Sequence, residues 1–263
     1  MLSKVIARFN HWGQKRFGKK RRFNPNLNIK TPVVLPPRHD FINFKQFTGN
    51  EILYHLKDAD AFRDGELSCA LLELGLRKGA PEGYDWNTHE NVKKAIAQAT
   101  KKAPEYNCLV LTSLAHACSR LKINDQALWS ALERNINRII HSIKPIGMAY
   151  TFNSFIETGS PEFYEKLVEV APIHIKYING RDLLNVVRGC VKRNILAEKL
   201  FSKWIYPILL EKKKMCSPVQ LEEYLQLLSK RTDFTPEIKA QLEDALQYKI
   251  AYRARMDTGQ YIS

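Results

Sequence analysis

The sequence predicts an all-α protein: an α-solenoid of about five helix-turn-helix units, with a period of 36–40 residues, preceded by an extended basic arm. Three observations carry this. The stretch from Ala103 to Ser142 reads as two successive amphipathic helices. In the first, two adjacent apolar stripes appear, Cys108/Leu111/Ala115/Cys118 and Val110/Leu114/Ala117/Leu121, at the i, i+3, i+7 spacing of a helix face. One helical partner cannot bury two stripes, so this helix needs a neighbour on each side, as in stacked repeats. Finally, predicted helix starts recur at nearly constant steps, second helices near residues 88, 124, 160, 197 and 235 and first helices near 64, 104, 144, 180 and 217. At three of them, Ser160-Pro161, Ser217-Pro218 and Thr235-Pro236, a capping hydroxyl precedes a proline at the first helical position.

Taken in order, residues 1–40 form the arm, 41–253 the helical body and 254–263 a short tail. A short helix begins the body, with Thr48 and Glu51 as a capping box. The predicted pairs are Asp64–Lys78 with Thr88–Lys101, Glu105–Leu121 with Asp125–His141, and Pro145–Glu157 with Pro161–Ile178. Gly180–Arg193 with Ala197–Lys212 and Pro218–Lys230 with Pro236–Arg253 complete the series. The second helix of the central pair buries Leu128, Ala131, Leu132, Asn135, Ile136 and Ile139. Pro172 and Pro207 fall inside predicted helices and should kink or split them.

The net charge of +14 is placed unevenly. Residues 1–39 hold ten Lys/Arg and no acid, whereas the remaining chain holds 31 basic and 27 acidic side chains. The first twelve residues set Leu2, Val5, Ile6, Phe9 and Trp12 on one helical face with Lys4 and Arg8 off it. This basic, acid-free, amphipathic composition is that of a mitochondrial presequence or an interfacial helix. The following arm interleaves cations with aromatics and then becomes proline-rich, which favours extended backbone. We expect the arm to meet a polyanion. Its candidate RNA-binding residues are Arg8, Lys15, Arg16, Lys19, Lys20, Arg21, Arg22, Lys30 and Arg38 for phosphates, with Trp12, Phe17 and Phe23 for stacking.

Within Leu109–Ile136, the run Leu111, Leu114, Ala115, Ala117, Arg120, Leu121 is followed by a helix led by Ala127-Leu128. It resembles the helix pair of octotricopeptide and heptatricopeptide repeats, which also occur in FAST-kinase-like organellar proteins. The resemblance implies an α-solenoid, RNA binding in an organelle, or a scaffold role in a mitochondrial ribosome. The sequence departs from that pattern in two ways. It carries no RAP-type nuclease-like stretch, and its near-neutral body lacks a continuous basic groove.

No chemistry-bearing constellation stands out. Gly75 and Gly79 are isolated, with no phosphate-binding glycine loop around them. His116 and Cys118 read as packed side chains rather than metal ligands, and so does His174. The five cysteines form no CxxC pair and read as small buried hydrophobes in a reducing compartment. Lys212–Lys214 suits a helix C-terminus, with a phosphate contact as its second reading.

The expected function is therefore that of a non-enzyme without cofactors in the mitochondrial matrix. As a structural ribosomal subunit, it would contact rRNA through its arm and neighbouring proteins through its helices. A free organellar RNA-binding factor and an inner-membrane scaffold with the arm on lipid are the alternatives. There is no sequence signal for a homo-oligomer.

Overall fold

A computed structural model describes residues 41–76, 84–195 and 197–257. The described residues are all-helical and contain no strand. Helix α1 spans Gly49–His55, α2 Glu66–Leu76, α3 Glu90–Lys102, α4 Cys108–Arg120, α5 Gln126–Arg138 and α6 Pro145–Ser154. Helix α7 spans Pro161–Ile175, α8 Gly180–Lys192, α9 Glu198–Leu200, α10 Tyr206–Lys212, α11 Pro218–Leu228 and α12 Pro236–Asp257.

The helix starts follow from side-chain caps. Thr48 and Ser217 complete capping boxes with Glu51 and Gln220. Asn107, Asp125, Ser160 and Asn179 each accept a hydrogen bond from a first-turn N–H of α4, α5, α7 and α8, satisfying donors that have no partner within the helix.

The two prolines act differently. Pro172 sits within an unbroken α7. Pro207 lies in the first turn of α10, directly after a π-helical segment, Phe201–Ile205, that joins α9 to α10. The wider turn takes up the hydrogen bond that the proline cannot donate. The first helix of the opening pair begins at Glu66 rather than Asp64, after Gly65 at φ +89°.

Packing follows two rows. In one, α2 contacts α4, α4 contacts α6, α6 contacts α8, and α8 contacts α11. In the other, α3 contacts α5 and α5 contacts α7; α7 meets α9 and the π segment, and α10 meets α12. Apart from the half-buried Cys108, both stripes of α4 are buried between its neighbours, with Leu111, Leu114, Ala115, Ala117 and Cys118 fully enclosed. Trp129, which the α5 pattern does not mark, is also core. Its indole N–H donates to the Ile123 carbonyl at 2.8 Å, and its ring meets Phe155 edge-on at 5.1 Å.

Successive junctions are tied by hydrogen bonds at a near-constant sequence separation. On one edge, Arg193 donates to the carbonyls of Gly159 and Ile156, and Arg231 to that of Ile195. On the other edge, Lys102 reaches the Asp60 carbonyl, Arg138 that of Pro104, and Lys212 those of Lys176 and Ile178. Inside the stack, the Tyr224 hydroxyl donates to the Gly180 carbonyl at 2.6 Å. Tyr224→Phe is expected to cost about 1 kcal/mol, the usual net worth of such a bond with some added cost for the stranded carbonyl. Thermal unfolding of the variant checks this.

Candidate nucleic-acid interface

All twelve residues assigned to RNA binding in the arm, from Arg8 to Arg38, lie outside the described residues. The body carries a second set of cations, which an average along its sequence hides. Its charge is divided between the two edges of the stack.

One edge is formed by the junctions that lead from each second-row helix to the next first-row helix. Residues 101–107 carry Lys101 and Lys102 against Glu105. Residues 138–145 carry Arg138 and Lys144 with no acid. Residues 176–182 carry Lys176 and Arg181 against Asp182, and residues 211–217 carry Lys212–Lys214 against Glu211. The four junctions thus hold nine cations and three acids. The opposite edge, residues 84–90, 120–126, 156–162, 192–199 and 229–237, holds seven cations and eight acids.

The basic edge is continuous. Besides the bonds from Arg138 and Lys212, α7 packs on the turn Ile140–Ser142, and α12 packs on the turn Lys213–Met215. Lys213 donates to the Gln241 side chain at 2.8 Å. At its N-terminal end the edge turns acidic, with Asp58, Asp60 and Asp64 around Lys57 and Arg63. At its far end it runs into α12. Leu246 is the last buried residue of that helix, and Tyr248, Ile250, Tyr252 and Met256 are exposed beyond it. Tyr248 and Tyr252 stack with ring centroids 6.4 Å apart, and residues 245–256 contain Lys249, Arg253 and Arg255 but no acid.

A polar line crosses the row of α4, α6, α8 and α11. His116 stacks flat on Tyr150, with centroids 4.1 Å apart. Arg188 bonds the side chains of Asn153 and Asn185 and pairs with Glu223 at 2.6 Å. Asn153, Arg188 and Glu223 are thus joined across three successive helices of one row, α6, α8 and α11. Burial, helped by Arg120 and Arg181, pushes His116 down to about 4, so its imidazole is neutral at neutral pH. Asn153, Asn185, Arg188 and Glu223 satisfy one another by hydrogen bonds, whereas the buried His116 Nδ1 has no hydrogen-bond partner among the described residues and is held by its stack on Tyr150.

The remaining reactive groups are insulated. Cys118, Cys190 and Cys216 are buried, and all five cysteines are free thiols. Burial pushes Cys69 up to about 11 and Cys190 to about 12, which suppresses the nucleophilic thiolate. Among the described residues, no group of three or more His, Cys, Asp or Glu is placed to hold a metal ion. No described helix is long and apolar enough to cross a membrane.

No family model matches the chain, and no curated protein shows significant similarity to it.

Proposed function

We propose that the chain is a non-catalytic structural subunit of the mitochondrial ribosome, its arm contacting rRNA and its helical body serving as a scaffold. The observation that carries this reading is the arm's composition: ten Lys/Arg, interleaved aromatics and no acid over residues 1–39. Such a segment gains little by folding on itself and much by releasing counterions from phosphates.

We read the body as an α-solenoid of five pairs. The two rows of helices support this, as do the bonds between successive junctions, such as Arg138 to Pro104, Arg193 to Gly159 and Lys212 to Lys176. The basic edge favours one alternative, a free organellar RNA-binding factor.

The test replaces Lys15, Arg16, Lys19, Lys20, Arg21 and Arg22 with serine in the full chain. Wild-type protein is expected to co-sediment with mitochondrial ribosomal particles on a density gradient, and the variant to be displaced from them at moderate salt. In binding to isolated rRNA, the log affinity against log salt should flatten by about 4 to 5, from roughly 0.7–0.9 per phosphate contact. Wild-type protein running free of ribosomal particles while retaining RNA binding would select the free-factor reading. A variant that co-sediments as well as wild type would exclude the arm as the anchor.

A further inference from the structure

We infer that the basic edge from Lys101 to the end of α12 is a second RNA-contacting surface, which holds the phosphate backbone from the body independently of the arm. That the polyanion is RNA rests on the function proposed above; the surface itself rests on the geometry of the junctions.

The simplest explanation for cations at these positions is helix capping, and it accounts for part of the set. Arg138 and Lys212 donate to carbonyls near the C-terminal ends of second-row helices, where positive charge is favourable, and Lys102 to the Asp60 carbonyl in the turn after α1. It does not account for Lys144 and Arg181. Lys144 is the residue before the first turn of α6 and gives it no side-chain cap, and Arg181 lies in the first turn of α8. At a helix N-terminus the dipole opposes a cation. Both side chains are exposed, as are Lys101, Lys176 and Lys214. Positive charge is therefore kept where local stability disfavours it. The opposite edge, built from the same kind of loop, is neutral.

Aromatic side chains interleave with these cations. Tyr177 is 67% exposed, with the Lys176 ammonium 4.8 Å from its ring. Tyr248 and Tyr252 extend the line on the exposed end of α12. Cations at successive rungs, about 10 Å apart for packed helices, with one exposed aromatic face at the Lys176–Asp182 junction and two more at the end of α12, suit a strand that offers both phosphates and bases. An acidic peptide would use the charges but not the stacking faces.

The test uses the full chain and a polyuridylate oligonucleotide. One variant carries K101Q, K144Q, K176Q and K214Q. A control carries K122Q, K192Q, K199Q and K230Q on the opposite edge, so both lose equal charge. All eight side chains are exposed, and unchanged thermal midpoints confirm folding. The slope of log affinity against log salt is expected to fall by about 2 to 3 for the first variant, from roughly 0.7 per single-strand phosphate, and to stay unchanged for the control. Tyr177→Ala should weaken binding about tenfold, within the range for one lost base stack.

An equal fall in both variants, or no fall in the first, overturns the inference. So does a first variant that loses binding to phosphatidylserine vesicles while its RNA slope is unchanged, because the edge would then be a lipid surface. The arm variant is measured in parallel. If it binds as wild type while the edge variant is impaired, the edge stands and the arm's role fails; the converse pattern removes only the edge.

Discussion

Gly189→Ala is expected to destabilise the protein by about 3 kcal/mol, at the upper end of what one added methyl costs in a packed interior. Gly189 lies in α8 where that helix crosses α6. A Cβ there would overlap the carbonyl group of Phe152. That carbonyl is backbone in a helix, so it cannot rotate away, and it already accepts the Tyr164 hydroxyl at 2.7 Å. The two helices would have to separate, thinning the core around Phe152, which is fully buried. Gly75→Ala provides the contrast. Its Cβ would meet side chains alone, Leu121 at 3.4 Å and Arg120 at 3.6 Å. It should be neutral or stabilise by up to about 1 kcal/mol, the helix-propensity gain over glycine. Urea unfolding of both variants, with the slope m checked for constancy, reads the two signs directly.

Arg231→Ala is expected to cost about 3 kcal/mol, as for a mostly buried ion pair that loses one partner. The guanidinium holds Asp233 through Nε and Nη2, both at 2.8 Å, and donates to the Ile195 carbonyl at 3.1 Å. It also lies 3.5 Å from the Phe201 ring centroid, and the Tyr206 hydroxyl donates to Asp233 at 2.7 Å. One side chain thus ties the junctions after α8 and α11 to the π segment. Arg231→Lys should recover only part of the loss, because an ammonium cannot form the two-pronged pair or stack flat.

Burial alone would raise the Asp233 carboxyl. The hydrogen bonds from Arg231 and Tyr206 outweigh it and hold the group below the usual range. A depressed carboxylate stabilises the fold above its unfolded pKa, about 3.9, and that contribution is lost as pH falls through the lower folded value. The pair should therefore make stability fall below about pH 4, and Arg231→Ala should blunt that fall. Unfolding curves from pH 5 downward check this.

The helices were legible because their signals are local. Ser160-Pro161, the Ser217–Gln220 box and the double stripe of α4 each lie within one or two turns of chain. Gly189, Arg231 and Trp129 were not legible, because their roles depend on which residues of different elements meet. No local pattern distinguishes Gly189 from Gly75, yet one faces a backbone carbonyl and the other a flexible side chain. The basic edge was hidden for a related reason. Its cations sit in separate junctions, and a running average along the chain mixes them with the acids of the opposite edge. The cations of the arm are contiguous in sequence, which is why they dominated the reading of charge.

The bonds between successive junctions bear on how the molecule is made. Helix contacts join each pair to the next, and none of the main packing partners links α2 or α4 to α8, α11 or α12. Among the described residues there is thus no closing seam between the two ends of the row. The main packing partners of α4 are in place once α6 has formed, so order can follow synthesis from the ribosomal exit onward. Damage at the α6–α8 boundary should accordingly leave the helices before it standing, and limited proteolysis of Gly189→Ala would release a resistant N-terminal block.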